Sequence, residues 1–244
     1  MPGKSKTKYI QSLGQKKFRE QEGVFVAEGP KLVKELLQHE AGVQEIYALR
    51  EWLDENKKFT NRIKTIEITE TELKGISFMT TPQSVLALVK MPAINTIVTR
   101  GKIILALDTI QDPGNLGTII RTADWFGVQH LICSKDCADV YNPKVVQATM
   151  GSIARVNVIY SDISSWLQRE KGRKIYAAVL QGKDLRKIKI REGVIIIGNE
   201  SKGIHSEILG LANEKITIPA IGKAESLNAA VATGIILSHC IYKS

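Results

Sequence analysis

The sequence predicts an α/β protein, with a smaller α/β unit first and then a unit built on a parallel sheet. Strand-like apolar runs alternate with helical patterns along the chain, which is the order of elements in α/β folds. In the second half, the runs Ile103–Leu107 and Val194–Ile197 are continuously apolar, as expected for strands covered on both faces. Polar, glycine-rich clusters follow these runs, where open α/β sheets bind their ligands.

Composition favours a nucleic-acid partner. The 244 residues carry a net charge of +9 and a pI near 9.4, and such a charge indicates an anionic partner. An acidic membrane surface is the weaker alternative, because the sequence has no amphipathic basic helix with aromatic anchors and no apolar run near the ~20 residues of a membrane span. A basic protein without a specific partner is the third alternative. The N-terminus has no secretory pattern, so we expect a cytoplasmic location.

Neither a disulfide framework nor a metal site is expected. The three cysteines, Cys133, Cys137 and Cys240, are odd in number and poorly spaced for disulfides. Cys133 and Cys240 fit core positions, whereas Cys137 follows Lys135 and leaves a reactive thiol open. The histidines are scattered, and no spacing typical of metal ligands occurs among them.

The first unit is predicted to span residues 1–95. Its basic start, from Lys4 to Arg19, is either a solvated helix face or a set of phosphate contacts, and the sequence leaves both open. Thr69, with Glu72 three residues later, forms a capping box at the start of a helix. The remaining predicted elements are strands at Val24–Ala27, Val43–Leu49, Lys64–Ile68 and Ser84–Lys90, and helices from Gly29 and across Glu51–Lys57.

The second unit, residues 96–244, is predicted to follow a linker at Met91–Asn95. Pro92 disfavours continuation of a central strand there. Pro143 after Asn142 suits the first turn of a helix. Further strands are predicted at Gln129–Cys133, Arg155–Tyr160, Lys174–Leu180 and Lys215–Ile218, and further helices after Asp112, across Ser161–Lys171 and from about Ser226.

The first polar cluster follows the strand that ends near Asp108. Asn115 is a candidate helix cap, and ordinary capping would explain this loop. Arg121, however, falls near the apolar stripe of the following helix. A buried guanidinium needs an anionic or polar partner. Arg121 is therefore a candidate for holding a phosphate or a developing negative charge.

The second cluster, Gly198–Gly203, follows the strand that ends at Ile197. The glycines at its two ends permit close approach of the backbone to a ligand. Glu200 is a candidate either to anchor Arg121 or to orient a neighbouring loop. An ordinary turn between a strand and a helix explains this loop equally well.

The third cluster, Ser226–Asn228, precedes the last helical pattern. Ser226 is predicted as the N-cap, which would place Asn228 at the second helical position with its amide reaching out of the helix start. Simple capping is the alternative. The free N–H groups of a helix start also suit an anion or a carboxylate.

Taken together, the clusters form three motifs in a fixed order: Asn-x-Gly-x-x-x-Arg at 115–121, Gly-Asn-Glu-x-x-Gly at 198–203, and Ile218-Pro219 with Ser226-Leu227-Asn228. They resemble the three motifs of the SpoU (TrmH) family of RNA ribose 2′-O-methyltransferases over residues 102–241. Phe18–Lys31 and Thr81–Val85 look like the small substrate-binding domain of many members, which resembles a ribosomal protein that binds RNA.

The resemblance implies a fold and a cofactor. Family members form a SPOUT domain, a parallel α/β sheet whose C-terminal segment is threaded into a deep trefoil knot, an exception to the general rule against knots. The methyl donor is S-adenosyl-L-methionine, bound by the knot loops. Members are usually homodimers with the site near the dimer interface.

The resemblance also assigns roles to residues of this chain. Arg121 would be catalytic, supported by Asn115, Glu200, Ser226 and Asn228. The donor pocket would use Leu180, Gly182, Gly198, Asn199, Glu200, Gly203, Ile218, Ser226, Leu227 and Asn228. The chain departs from the family pattern at Ala220 and at Ala229-Ala230, which are not polar site residues.

The expected reaction is methylation of a ribose 2′-hydroxyl in structured RNA. Because the pKa of a guanidinium exceeds ~12, we expect Arg121 to act as a clamp that stabilises developing charge rather than as a base. The extra N-terminal unit favours ribosomal RNA over tRNA. The alternatives are a non-catalytic RNA-binding protein on the same fold, an unrelated nucleotide-dependent enzyme and a structural ribosome-associated factor.

Overall fold

The computed structural model describes residues 3–93, 100–170 and 172–242. Its chain divides into two compact units. The first unit comprises the described residues up to Ala93 together with Asp139–Arg155. The second unit comprises the described residues from 100 to 138 and those from Val156 onward. The predicted division between residues 95 and 96 lies outside the described residues and stays a prediction. The helix end predicted at Lys171 also lies outside them.

The first unit contains a mixed sheet whose central strands are covered on both faces. Its strands, in the spatial order β1-β4-β2-β3, are β1 (Val24–Glu28), β2 (Val43–Ala48), β3 (Lys64–Glu67) and β4 (Val85–Lys90). Strand β4 is antiparallel to β1 and β2, whereas β2 and β3 are parallel. Every residue of β1 is buried, because Phe25 faces one apolar cluster and Val24 faces another. The four predicted strands of this unit are confirmed.

Within the described residues, the predicted helices are present, together with four further helices that were not predicted. The helices are α1 (Lys4–Ser12), α2 (Lys16–Glu22), α3 (Pro30–Gln38), α4 (Arg50–Glu55), α5 (Lys57–Thr60), α6 (Glu70–Ile76), α7 (Pro113–Trp125), α8 (Pro143–Thr149), α9 (Ile163–Arg169), α10 (Ser206–Leu209) and α11 (Ala229–Tyr242). The four that were not predicted are α1, α2, α5 and α10. The predicted capping box of Thr69 and Glu72 starts α6. Helix α8 packs against β1 within the first unit.

The second unit contains a parallel sheet. Within the described residues its spatial order is β10-β8-β9-β5-β6-β7, formed by β5 (Ile103–Leu107), β6 (His130–Cys133), β7 (Asn157–Tyr160), β8 (Ile175–Asp184), β9 (Gly193–Ile197) and β10 (Glu214–Thr217). All neighbouring pairs are parallel, as predicted. The loops that follow β5, β9 and β10 therefore leave the same edge of the sheet. These pairings do not trace a knot, which stays a prediction.

Three further properties of the described residues concern membrane spans, metal ligands and cysteines. None of the described helices combines the length and apolar character that crossing a membrane requires. No group of three or more potential metal ligands occurs within the described ranges. The three cysteines are buried thiols.

Arg19 is a buried residue and not part of a basic surface. Its side chain is 2% exposed and forms an ion pair with Asp139, which belongs to the same unit. Its Nη1 also donates to the carbonyl of Leu13 at 2.7 Å. Neither alternative for the basic N-terminal start holds for Arg19, because this residue of α2 faces the interior. The ion pair ties the segment 139–155 to the first unit.

We expect Asp139→Ala to destabilise the protein by about 3 kcal/mol, because removing one partner of a buried ion pair leaves an uncompensated charge. The measurement is the free energy of unfolding in urea. Asp54→Ala is the matched control, since Asp54 pairs with Arg50 and Lys57 at the surface and exposed pairs contribute little. Equal, small losses in the two variants would contradict the assigned role of Asp139.

Candidate active site

A cavity of about 670 Å³ lies at the carboxyl edge of the second sheet. Its volume is in the usual range for a small-molecule site, and its walls are mostly apolar, as in such sites. Three stretches of chain line it: 178–180 in β8, 197–204 after β9, and 216–227 around the end of β10. The cavity contains the following predicted donor-site residues: Leu180, Gly198, Asn199, Glu200, Gly203, Ile218, Ser226 and Leu227.

The loop after β9 is held in shape by Asn199. Its Oδ1 accepts from the N–H groups of Ser201 at 2.9 Å and Lys202 at 3.1 Å. Asn199 and Gly203 also exchange two backbone hydrogen bonds. A Cβ on Gly198 would lie 2.5 Å from the backbone carbon of Gly203. Glycine is therefore required at 198 by the close approach of the loop to itself.

Asn115 connects the three polar loops. Its Nδ2 donates to Oε1 of Glu200, and its Oδ1 accepts from Nδ2 of Asn228 at 2.7 Å. Asn115 was predicted to cap α7, which is wrong: Asp112 is the cap, and its Oδ1 accepts from the backbone N–H of Asn115 at 2.7 Å. Because Asp112 caps the helix, the Asn115 amide is available for both loops.

The cap of helix α11 lies two residues later than predicted. Asn228 caps it, because its Oδ1 accepts from the N–H groups of Ala230 at 2.9 Å and Val231 at 3.3 Å. The predictions that Ser226 is the cap and that Asn228 is the second helical residue are therefore wrong. Ser226 instead lies exposed along the cavity. Asn228 does not line the cavity, although its neighbours Leu227 and Ala229 do.

Arg121 does not lie where the sequence pattern placed it. It is exposed, and within the described part of the chain it forms no hydrogen bond or ion pair and does not line the cavity. The buried stripe of α7 runs through Ile119, Ile120 and Ala123, and one residue beyond Ile120 turns about 100° away from it. Glu200 binds Asn115, so its predicted anchoring of Arg121 is wrong, whereas the alternative prediction that it orients a neighbouring loop agrees with this contact.

Gly182 lies outside the cavity lining as well. A Cβ at this position would lie 2.7 Å from the carbonyl oxygen of Lys215. The two residues belong to the neighbouring strands β8 and β10. Gly182 is therefore explained by the close approach of two strands.

Asp108 and His205 form a link that the sequence analysis missed. The Asp108 side chain is 2% exposed, and Oδ2 accepts from the His205 backbone N–H at 2.8 Å. The imidazole Nδ1 lies 2.9 Å from both carboxylate oxygens. The link fastens the end of the 198–205 loop to the end of β5. A carboxylate directly after an apolar strand was the available signal.

Thr109 adds a second link between the same segments. Its carbonyl accepts from Nδ2 of Asn199 at 2.9 Å, and its N–H donates to Oγ of Ser134 at 2.9 Å. The residue adopts φ +59°, which is unusual for a β-branched side chain. Backbone strain of this kind clusters at functional sites, where the surroundings hold it in place.

The thiol group of Cys137 forms hydrogen bonds with the end of β5 and with the loop that follows it. Its Sγ accepts from the N–H of Ile110 at 3.2 Å and donates to the carbonyl of Leu107 at 3.2 Å. A hydrogen bond with Cys133 lowers the pKa of the Cys137 thiol to about 7, although burial acts in the opposite direction. The burial predicted for Cys133 and Cys240 is confirmed. A reactive role for Cys137 stays a prediction.

Comparison with protein families matches nearly the whole chain. Residues 102–238 match the model described as the SpoU rRNA Methylase family. Residues 4–87 match the model described as an MRM3-like substrate binding domain. The two matched ranges together contain the strands of both sheets except for the last residues of β4.

Individual proteins are similar over almost their full length. The chain is 33% identical to the 23S rRNA (guanosine(2553)-2′-O)-methyltransferase RlmP of Bacillus subtilis (strain 168), over 96% of this chain and 95% of that protein. A structure from Porphyromonas gingivalis assigned to the TrmH family of RNA methyltransferases matches with a TM-score of 0.88 and 36% identity, over 100% of both chains. The AdoMet-bound rRNA methyltransferase structure from Sinorhizobium meliloti matches with a TM-score of 0.85 and 32% identity, over 96% of this chain and 92% of that one.

We expect Asp108→Asn to loosen the 198–205 loop, because the variant loses the charge and one of the two acceptors that hold His205. A hydrogen bond to a charged group contributes about 1.5–3 kcal/mol, so amide exchange at His205 should accelerate by at least about tenfold. Hydrogen exchange measures this. Asp136→Asn, an exposed carboxylate of the loop after β6, is the control. Unchanged exchange at His205 in Asp108→Asn would contradict the proposed link.

Proposed function

Since the chain belongs to the SpoU rRNA methylase family, we propose that it transfers a methyl group from S-adenosylmethionine to a ribose 2′-hydroxyl of ribosomal RNA. The observation that carries this proposal is the convergence of three polar loops on Asn115 beside an apolar cavity. The similarity to RlmP, an enzyme named for this modification of 23S rRNA, supports the substrate class.

The residues of the cavity fit the methyl donor. Apolar walls such as Ile197 and Pro219 suit an adenine ring, and the backbone groups of the 198–203 loop suit its polar edge. The Glu200 carboxylate lines the cavity and offers a negative charge to a sulfonium cation. When bound, S-adenosylmethionine supplies a methyl group that is already activated. The chain's own task is to position the ribose oxygen and to stabilise its developing negative charge.

Asn115 sets the relative position of the loops on which this task depends. It holds Glu200 of the second motif and Asn228 of the third motif on opposite sides of one amide group. Side chains held on rigid elements by such bonds keep reacting groups in place, which accounts for a large part of a catalysed rate. Asn115, Glu200, Ser226 and Asn228 keep the supporting roles proposed for them.

Arg121 is the proposed clamp for an RNA phosphate. Its exposed guanidinium has no partner among the described residues and offers hydrogen-bond donors but no acceptor. It therefore suits stabilisation of negative charge and not removal of a proton. Since Arg121 does not line the cavity of its own chain, the proposal requires a second copy to bring the guanidinium to the site.

An exposed apolar face supports a homodimer. Helices α7 and α11 pack against each other and leave Trp125, Val231, Ile235 and Tyr242 40–80% exposed. Contiguous apolar surface of this kind marks an interface. Arg121 lies one turn before Trp125 on α7. In such a dimer, we expect Arg121 of one copy to lie close to the polar loops of the other copy.

The first unit is the proposed RNA-holding part, in agreement with its match to a substrate-binding domain. Lys8 and Lys17, for example, are exposed and have no counter-ion among the described residues. Methylation of tRNA and RNA binding without catalysis are the alternatives. The expected cytoplasmic location stays a prediction.

We expect Gly198→Ala to weaken S-adenosylmethionine binding by at least about tenfold, because overpacking of this kind costs about 1–3 kcal/mol and the new methyl group would collide with Gly203. Gly75→Ala, in helix α6 and outside the cavity lining, adds a Cβ that meets nothing within 4 Å and should bind the donor as the wild type does. Isothermal titration with S-adenosylmethionine gives both dissociation constants. An unchanged dissociation constant in Gly198→Ala would contradict the assignment.

We expect Arg121→Ala to lower methyl transfer to ribosomal RNA by about 10²–10³, the usual effect of removing one electrostatic contact to developing charge. Donor binding should stay unchanged, and Arg169→Ala, another exposed arginine of this unit, should transfer normally. Tritiated methyl transfer and donor titration are the measurements. Equal loss of donor binding would show that Arg121 builds the pocket instead.

Mixing two inactive variants tests whether Arg121 acts on the second copy. In a twofold dimer of Arg121→Ala and Glu200→Ala chains, one site regains an intact cavity and an intact arginine, so about a quarter of wild-type activity should return on random mixing. If Arg121 acts within its own chain, no activity returns. Transfer to tRNA alone, or donor binding without transfer to any RNA, would favour the alternatives named above.

A further inference from the structure

A row of basic side chains lies on the second unit, in the stretch that joins β8 to β9. Leu185, Ile188 and Ile190 of this stretch are buried, whereas Lys187, Lys189 and Arg191 are exposed. From 187 to 191 burial alternates residue by residue, so the three cations face solvent together, roughly 6–7 Å apart along an extended chain. His239 of α11 contacts the Ile188 carbonyl through Nε2 at 2.9 Å, which fixes the stretch to the fold.

These three cations differ from their neighbours in forming no ion pair, although the charge of Lys187 also acts on Asp184. Lys183 pairs with Glu214 at 2.8 Å and Arg186 pairs with Asp184 at 2.7 Å. Within the described residues, no ion pair is formed by Lys187, Lys189 or Arg191. Unpaired cations in a row are the arrangement that binds a polyanion, because each contact releases a counter-ion from the polyanion.

The row leads to a second cavity of about 200 Å³ at the amino edge of the sheet. Arg191, Lys102 and His130 contribute its basic lining, and Phe126 contributes an apolar wall. At roughly 30 Å³ per water, this volume accommodates a phosphate group with some of its water. The nearby Glu192 carboxylate already accepts from the N–H of Gly101 at 3.0 Å.

His130 has an unused polar atom beside this cavity. Its Nδ1 is buried and has no hydrogen-bond partner among the described residues. Burial, and then the charge of Lys102, lowers the pKa of His130. A phosphate group in the cavity would oppose the Lys102 charge and would therefore raise the pKa of His130.

We propose that Lys187, Lys189 and Arg191 bind the phosphate backbone of the RNA substrate, and that one phosphate enters the cavity lined by Lys102 and His130. The proposal rests on the proposed function only in naming RNA as the polyanion. The Arg191 end of this row reaches the amino edge of the second sheet, whereas the donor cavity lies at the carboxyl edge. The strands between the two edges are mostly four or five residues long, about 15 Å, so a structured RNA can contact both.

The test compares two double variants of the same stretch that remove the same charge. Lys187→Gln with Lys189→Gln removes unpaired cations, whereas Lys183→Gln with Arg186→Gln removes paired ones. Binding of a labelled ribosomal RNA hairpin is measured against KCl concentration. The slope of log Kd against log[KCl] should fall by about 1.4–1.8 in the first variant, at about 0.7–0.9 for each phosphate contact, and by less than half of that in the second.

Three outcomes would contradict the proposal that this row binds RNA. The first is a wild-type slope in the Lys187/Lys189 variant. The second is an equal fall in both variants, which would indicate a general positive field and not a defined row. The third is a loss of binding to vesicles of acidic phospholipid with no change for RNA, which would assign the row to a membrane surface.

The cavity is tested with inorganic phosphate. Titration should raise the pKa of His130, followed by NMR of its ring protons, in the wild type but not in Arg191→Gln. A flat response in the wild type would remove the cavity from the proposal.

Methyl transfer and donor binding, measured on the same samples, separate this inference from the proposed function. If the wild type binds RNA with the expected slope but transfers no methyl group, the proposed function is wrong, whereas the proposed RNA-binding surface is supported. If the Lys187/Lys189 variant keeps the wild-type slope while the wild type transfers methyl groups, the proposed RNA-binding surface is wrong and the proposed function is supported.

Discussion

The amide group of Asn115 is the contact on which the arrangement of the site depends. It donates to Glu200 and accepts from Asn228, so one planar group sets the distance between loops that lie about 85 and 113 residues away along the chain. An amide can do both at one position, with its donor and its acceptor on separate atoms, whereas a carboxylate has no donor and an ammonium has no acceptor. The Asp112 cap makes this possible, since it satisfies the helix start and leaves the Asn115 side chain free.

Below this contact, the loops are supported by buried polar groups at the end of β5. Asp108 holds His205, and the Thr109 carbonyl holds Asn199, so the 198–205 loop is fastened at both ends before any ligand binds. Arg121, in contrast, is not held in place by such contacts within the described chain, which is consistent with a group that acts only when RNA and a second copy are present.

Much of the fold was predictable because it depends on local patterns. The continuous apolar runs indicated buried parallel strands, and β5 and β9 lie next to each other in the sheet. The family was predictable because its three motifs are specific in combination. The errors concern side-chain direction. The pattern of α7 placed Arg121 near the buried stripe, although a shift of one residue turns a helical side chain about 100°. Arg19 looked like part of a basic surface because the sequence does not show that Asp139 folds back beside it.

The sequence by itself determined the α/β class, the polar loops at strand ends and the family, since each of these depends on residue type and spacing along the chain. Tertiary structure alone decided which of the polar residues meet. The Asn115 contacts, the Asp108–His205 link and the separation of Arg121 from the cavity join or separate residues far apart in sequence. The physical reason is that a hydrogen bond requires atoms to lie within about 3 Å, and the distance between remote residues is fixed only when the core packs.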